Sequence, residues 1–234
     1  SSDVCSSDLC PVLTLERAAA RARRAAPEHY HFGTGDFTIS VWLLPTKFGT
    51  RRMFYRKYAN GLLVELHSNN KLVANFYDGS SFDVTGSRTL TESKLYHIVL
   101  TRDGDTATWY IDGAKDASTT GVDNLDLTNT NNMIIGAFAA NDYPMSVMII
   151  EFSVWKGYAF TLAEVQELFN DGVALDANSH SKANANLVGY WRNDSISTWS
   201  DISNPKAILC DGVDDRMQTA VIAALDLAGN DTFT

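Results

Sequence analysis

The sequence contains no apolar run long enough to cross a membrane as a helix. Runs such as Val147–Ile150, which ends at Glu151, are far short of the roughly 20 residues that a transmembrane helix needs. Positive charge is also scarce, because 19 Lys and Arg stand against 28 Asp and Glu for a net charge of −9. Nucleic-acid binding depends on clustered Lys and Arg. We therefore predict no membrane span and no nucleic-acid partner.

Cysteine is almost absent as well. The chain has three cysteines, Cys5, Cys10 and Cys210, so the count is odd and the middle of the sequence has none. This pattern excludes a framework of disulfides. Cys5 and Cys10 either pair with each other or remain free, and their Ser- and Asp-rich surroundings favour free thiols. Cysteine usage leaves the redox compartment open.

The abundant residues favour a β structure. Asp, Asn, Thr, Ser and Gly, which form turns, fill the stretches between short apolar runs. About nine runs alternate with period two at the spacing of a sandwich or barrel. This alternation places the following residues on inward faces: Phe37, Ile39, Val41, Leu43, Leu62, Val64 and Leu66.

One pair of strands carries a clear hairpin signal. Tyr96–Arg102 is followed by the turn Asp103–Asp105 and then by Thr106–Ile111, which predicts an antiparallel hairpin. Trp42 and Trp109 both fall within predicted strands. We expect them to pack in the core rather than stack on a sugar.

A single short helix is predicted after the strands. Thr161 and Glu164 have the spacing of a capping box, in which each side chain bonds the other residue's backbone N–H. Apolar residues follow at helical spacing, and Gly172 provides a stop signal. We expect the apolar face of this helix to pack on the edge of the sandwich.

Residues 1–27 look foreign to the rest of the chain. Residues 1–10 nearly duplicate a five-residue unit and resemble translated adapter sequence. An Ala- and Arg-rich run, Thr14–Ala26, then favours a helix that Pro27 stops. We predict a loosely attached N-terminal helix; a basic helix lying on an anionic membrane surface is the alternative.

Four motifs follow one another along the chain: Asp36–Trp42, Leu95–Arg102 with Trp109–Gly113, Ile134–Gly136, and Phe160–Phe169. Each motif alone is weak, but their order over about residues 30–173 is specific. This order resembles the laminin G-like, concanavalin A-like jelly-roll family. The resemblance implies an all-β fold, an antiparallel jelly-roll sandwich of two sheets with one short helix after the last strand.

The resemblance also suggests how the chain is organised. Residues 1–27 would be the foreign segment and residues 28–173 the laminin G-like domain. Residues 174–206 would then be a linker, and residues 207–234 the truncated opening strand of a second repeat. Neighbouring repeats of the same chain would be partners.

Two departures from the family pattern bear on a metal. The opening strand that normally precedes Asp36 is missing, and Ile149–Phe152 lacks one acid of the family's late strand. Both segments can contribute to a structural calcium site in such folds. Calcium thus remains an open expectation, with hard oxygen ligands available at Asp78 and Asp142.

The missing strand motif recurs near the other end of the chain. Ala207–Met217 resembles it, and Phe233 then corresponds to Phe37, 196 residues earlier. We predict that residues 207–219 dock in the vacant slot beside residues 147–154, because a long connection costs little closure entropy. A dangling tail and strand exchange with another chain are the alternatives.

Catalytic patterns are absent from the sequence. Glucanases with this fold need paired carboxylates on one strand, whereas Glu65 and Glu151 each stand alone and are expected at solvated strand positions. No zinc-protease motif occurs, and of the histidines only His29 and His31 are close in sequence. We predict that the protein is not an enzyme.

Loop aromatics with amide neighbours are the best candidate ligand contacts. Tyr143 with Asn141, and Tyr58 with Asn60, combine a ring that can stack on sugar C–H bonds with side chains that bond hydroxyls. The core packing of strand aromatics is the competing interpretation for such rings.

The sequence therefore predicts a non-catalytic binding or adhesion module that recognises glycan or another surface polymer. It would belong to a multi-domain extracellular, cell-surface or virion protein. The alternatives are a structural spacer repeat without a ligand and the accessory domain of a glycosidase.

Overall fold

The computed structural model describes residues 31–46, 48, 52–57, 61–129, 133–135, 146–191, 208–211 and 217–218. The strands within these ranges are β1 (Phe37–Pro45), β2 (Arg52–Lys57), β3 (Gly61–Leu66), β4 (Lys71–Tyr77), β5 (Ser81–Thr89), β6 (Tyr96–Asp103), β7 (Thr106–Ile111), β8 (Ala114–Thr120), β9 (Met133–Ile135), β10 (Ser146–Lys156), β11 (Leu187–Trp191), β12 (Ile208–Asp211) and β13 (Met217–Gln218). The helices are α1 (Leu162–Phe169) and α2 (Ala183–Asn186).

The strands form two antiparallel sheets. The seven-stranded sheet has the order β11-β10-β1-β6-β7-β8, with β12 also paired to β10. The six-stranded sheet has the order β13-β9-β2-β3-β4-β5. This arrangement confirms the predicted all-β jelly-roll sandwich with one short helix after the main strands. The predicted N-terminal helix lies outside the described residues.

The core lies between the sheets and follows the period-two pattern. All seven residues predicted to face inward are buried, with exposures of 2% or less. Trp109 is fully buried on β7, and its indole N–H donates to the Val84 carbonyl oxygen on β5 at 3.0 Å. Because β5 belongs to the other sheet, this bond joins the two layers while satisfying a buried donor.

Helix α1 covers the outer face of the seven-stranded sheet instead of its edge. Val165 and Leu168 pack with Val99, Tyr110 and Trp155, which point away from the main core. The expectation of edge packing was wrong because the outward residues of this sheet are themselves apolar enough to need a cover.

The capping box is confirmed at the start of α1. The Thr161 hydroxyl accepts from the Glu164 backbone N–H at 3.4 Å, and the Glu164 carboxylate accepts from the Thr161 N–H at 2.8 Å. The helix ends at Phe169, and Asn170 follows in the left-handed region with φ of 47°. The stop therefore comes slightly before the predicted Gly172.

Two strands, β8 and β11, were not predicted from the sequence. β8 has a polar sequence at the edge of its sheet, so its alternation is weak. β11 lies inside the segment interpreted as a linker, yet it pairs with Phe152–Trp155 of β10. The boundaries proposed at residues 27, 173 and 206 stay predictions.

The C-terminal segment docks beside the late strand, as predicted. Ile208–Asp211 pairs with Ser146–Ile149 in antiparallel register. Met217 then pairs with Ile135 of the other sheet. One segment thus closes the same side of both sheets. The slot is shorter than expected because β11 occupies the rest of the β10 edge.

Candidate functional site

The outer face of the six-stranded sheet opens near the turn that joins β4 to β5. Strand alternation turns Tyr77 outward, because its neighbour Phe76 is fully buried in the core. Tyr77 pairs with Gly61 on one side and with Ser81 on the other. Neither neighbour has a large side chain, so the Tyr77 ring is left partly exposed.

A polar pair lies one row away on the same face. The Asn75 amide donates to the Asp83 carboxylate at 2.6 Å, and both residues keep contact with solvent. This bond uses one amide hydrogen and one carboxylate oxygen. The amide carbonyl, the second amide hydrogen and the second carboxylate oxygen retain capacity for a ligand.

These side chains form one surface, which we call the Tyr77 patch: Leu63, Asn75, Tyr77, Ser81 and Asp83. It combines a partly exposed aromatic ring with a fixed amide–carboxylate pair. The face becomes closed further along the same strands, where Glu65 and Val73 are 1% and 6% exposed. The accessible part is therefore confined to the end near the β4–β5 turn.

Of the residues predicted from sequence, Asp78 lies next to this patch. It opens the β4–β5 turn, and its backbone N–H donates to the Ser80 carbonyl oxygen at 3.4 Å. Tyr58 and Asn60 lie outside the described residues. Their flanking residue Gly61 pairs directly with Tyr77, so the segment that contains them joins the sheet beside the patch.

The other predicted loop joins the sheets elsewhere. Asn141, Asp142 and Tyr143 lie outside the described residues, and their segment is flanked by Ile135 and Ser146. The neighbour of Ser146, Val147, pairs with Pro45 at the end of β1, the end of the sandwich opposite the β4–β5 turn.

The calcium prediction remains untested. No group of three His, Cys, Asp or Glu side chains suited to a metal occurs among the residues that the structure describes. Asp142 lies outside the described residues.

The expectation of a solvated strand position is wrong for Glu65, whereas Glu151 stays partly exposed. Glu65 is 1% exposed on the outer face of the six-stranded sheet. Glu151 sits at a bulge in β10 with φ of 51°, and its carboxylate accepts a hydrogen bond from the Tyr190 hydroxyl. The two carboxylates thus lie on opposite outer faces of a sandwich whose sheets are about 10 Å apart. That separation exceeds the 5–9.5 Å range of glycosidase pairs.

A serine–histidine pair occurs on the outer face of the seven-stranded sheet, but it is buried. The Ser40 hydroxyl and His97 Nε2 are 2.8 Å apart, and both residues are at most 1% exposed. The His97 ring lies 5.1 Å from the Trp42 ring and 5.8 Å from the Phe169 ring. Burial lowers the pKa of His97 to about 3, since a charged ring would lose its hydration. The pair cannot meet a substrate, so we assign it to packing.

A small surface cavity of about 190 Å³ adjoins β11. Its lining mixes two asparagines with apolar and aromatic residues: Asn178, Ala183, Asn184, Leu187, Val188, Gly189 and Tyr190. Its volume lies below the roughly 300–1,000 Å³ of ordinary ligand sites. The cavity is therefore a weaker candidate than the Tyr77 patch.

No helix in the described part of the chain has both the length and the apolar character needed to span a bilayer.

Known structures share the fold. A putative carbohydrate binding protein from Bacteroides ovatus is similar with a TM-score of 0.59 and 16% identity, over 85% of this chain and 55% of that one. The binding domain of Paraclostridial Mosquitocidal Protein 1 is similar with a TM-score of 0.54 and 22% identity, over 64% of this chain and 40% of that one. This chain thus spans roughly half the length of these two proteins, and identities this low speak for the fold alone.

Sequence comparison identifies the family of the chain. No curated protein matches the chain in sequence. The sequence profile of the concanavalin A-like lectin/glucanases superfamily, in its laminin G-like branch, matches residues 21–166. The profile covers more than half of the sequence and agrees with the two-sheet topology. The chain belongs to the concanavalin A-like lectin/glucanases superfamily.

Proposed function

We propose that the protein is a non-catalytic binding module that recognises a neutral glycan through the Tyr77 patch. The observation that carries this proposal is the placement of the partly exposed Tyr77 ring beside the Asn75–Asp83 pair on one face. The electron-rich face of an aromatic ring attracts the polarised C–H bonds of a sugar. Amide and carboxylate groups fixed at hydrogen-bonding distance then receive its hydroxyls.

The charge of the patch favours a neutral sugar over an acidic one. Asp83 belongs to the patch and Asp78 follows it in the turn, while the chain as a whole carries −9. Carboxylates on a sialylated or uronic ligand would face charges of the same sign. The patch is also open and shallow, so few ligand atoms are desolvated. We expect dissociation constants on the order of 1 mM for a single site.

Binding should be tested by titrating neutral and acidic oligosaccharides into the protein. Tyr77→Ala should weaken binding of a neutral glycan by about 3–10-fold, the range expected for one aromatic contact. Asn75→Ala should weaken it through the lost amide. Lys115→Ala, an exposed change on β8 of the other sheet, is the matched control and should leave binding unchanged.

Two further variants separate the candidate surfaces. Tyr58→Ala should weaken binding, because its segment joins the sheet beside the patch. Tyr143→Ala should have less effect, since its segment joins the opposite end. A glycan whose affinity depends on Tyr143 and not on Tyr77 would move the site to the other end. No binding across a broad glycan array would favour the structural spacer.

The absence of catalysis is a separate proposal. It is supported by the placement of Glu65 and Glu151 on opposite outer faces. Purified protein should not hydrolyse β-glucan. Hydrolysis that Glu65→Gln or Glu151→Gln abolishes would contradict the proposal that the protein is not an enzyme.

We also propose that this unit belongs to a multi-domain extracellular, cell-surface or virion protein. Its role there would be to attach the larger protein to a surface.

A further inference from the structure

The segment from Ile208 to Gln218 belongs to both sheets at once. Its first part, β12, pairs with Ser146–Ile149 of β10, and its second part, β13, pairs with β9. Without it, one edge of β9 and the Ser146–Ile149 part of the β10 edge, which belong to different sheets, would have unpaired backbone groups. Such edges are templates for another strand.

The segment is held to the rest of its chain by a long connection. β11 ends at Trp191 and β12 begins at Ile208, so the tether is 16 residues long. Extended chain covers up to about 3.3 Å per residue, which gives a reach of roughly 50 Å. A tether of this length does not force the segment onto its own sheet.

The attachment itself is local and made by backbone pairing. Four register pairs join β12 to β10, and two join β13 to β9. A second copy of the chain offers the same edge in the same register. Docking on the segment's own chain and docking on a second copy therefore use the same backbone pairing. They differ mainly in whether the tether connects the segment to the edge that it binds.

We infer that the combined β9–β10 edge is a strand-acceptor site that also binds residues 208–218 of a second copy of this chain. A connection of 16 residues gives docking on the segment's own chain an effective concentration on the order of 1 mM. Exchange between chains is then minor at micromolar concentration and rises as the chain concentration approaches that value. In a tandem array, a neighbouring unit of the same kind would present such an edge at comparable concentration.

Cys210 makes this exchange measurable. Its register partner on β10 is Val147, and Cα atoms of antiparallel partners lie within the range that a disulfide spans. One chain carries Val147→Cys and Cys210→Ser, whereas the other keeps Val147 and Cys210. Both carry Cys5→Ser and Cys10→Ser, so the two chains have one thiol each.

The two chains, with different tags, are unfolded, mixed, refolded together and oxidised. A covalent heterodimer should form and should rise from about a tenth of the chains at about 100 µM of each chain towards about a third at about 1 mM of each, because the segment divides among its own edge and the edges of both chain types. A chain with Val147→Cys and native Cys210 together is the positive control and should close within itself. Thr85→Cys, at an exposed position on β5, replaces Val147→Cys in the collision control and should give little heterodimer.

Three results would overturn the inference. The first is a closed intrachain disulfide with no heterodimer at 1 mM. The second is equal heterodimer with Thr85→Cys, which would indicate random collision. The third is failure of the single-chain control to close, which would also overturn the docking of β12 on β10.

Discussion

On the outer face of the seven-stranded sheet, α1 and the following segment bury Trp155, Ser40 and His97, whereas Tyr77 and Asp83 on the outer face of the other sheet stay accessible. The two faces carry similar chemistry, since each combines aromatic rings with polar side chains. The two faces differ in whether other residues of the chain pack over them. The residues most typical of catalysis are sealed, and the residues suited to weak sugar binding are open.

The cover on the first face is fixed by its own buried contacts. The His180 ring stacks on Phe160 at 4.4 Å. Its Nδ1 accepts from the Lys182 backbone N–H at 3.1 Å, while Nε2 lies 3.0 Å from the Glu164 carbonyl oxygen. Both ring nitrogens are thus occupied in joining residues 180–182 to α1. This histidine acts in packing.

The largest effect should come from removing a ring under the cover. Trp155 is completely buried among the residues of this cluster, with 0% solvent exposure. Trp155→Ala should lower the free energy of unfolding by about 3–5 kcal/mol. Urea denaturation measures this, with Tyr77→Ala as the matched change on the open face, expected to cost less than about 1 kcal/mol. Equal losses would erase the difference between the faces.

A smaller effect should follow from crowding the edge of the cover. Gly113 has φ of 72°, and a Cβ there would lie 2.7 Å from Phe169 Cδ1. Gly113→Ala should push Phe169 away from Trp42, on which it stacks at 5.7 Å. We expect a loss of about 1–3 kcal/mol and a change in tryptophan fluorescence. Gly79→Ala is the control, because its φ is also positive but nothing lies within 4 Å.

The pH dependence should report the sealed histidine. The folded protein holds His97 neutral down to about pH 3, whereas the unfolded chain binds a proton below about pH 6.5. Its contribution is complete above pH 6.5 and is lost as pH falls from there to about 3, at about 1.4 kcal/mol per pH unit. The Nδ1 atom has no hydrogen-bond partner among the described residues, so an added proton would find no acceptor.

Two variants isolate this contribution in denaturation curves at pH 7 and pH 5. His97→Gln should remove roughly 2 kcal/mol of the pH-dependent loss. Ser40→Ala, which deletes the hydrogen bond to Nε2 but keeps the ring, should retain the loss. An unchanged pH dependence in His97→Gln would show that the ring is hydrated in the folded state.

The smallest effect concerns the open face itself. Tyr77→Phe should keep most of the glycan affinity if stacking dominates, whereas Tyr77→Ala should cost about 0.5–1.5 kcal/mol of binding. Calorimetric or fluorescence titration distinguishes the two. Equal loss in both variants would assign the contact to the hydroxyl group in place of the ring.

The inner face could be predicted from sequence because Phe37, Ile39 and Val41 alternate with the polar residues Thr38 and Ser40. The capping box at Thr161 was equally local. The Tyr77 patch was missed because its neighbours Asn75 and Asp83 come from two strands, and only the register brings them together. One signal was available: Tyr77 falls on the outward phase of its strand, opposite Leu72 and Phe76.

Glu65 shows the opposite error. Both strand glutamates were expected in solvent because isolated charged residues on strands usually are, but Glu65 is buried, and Glu151 is only partly exposed. The bulge that turns Glu151 toward Tyr190 and the burial of Glu65 depend on neighbours distant in sequence. No periodic pattern in the local sequence predicts either the bulge or the burial.

The most direct test of the account is an NMR titration of the labelled protein with a neutral oligosaccharide. The account predicts chemical-shift changes at the amides of Asn75, Tyr77 and Asp83, with no change at Ser40 or His97 on the covered face. Shifts centred on the covered face or on the strand ends that flank residues 136–145, with none around Tyr77, would contradict it.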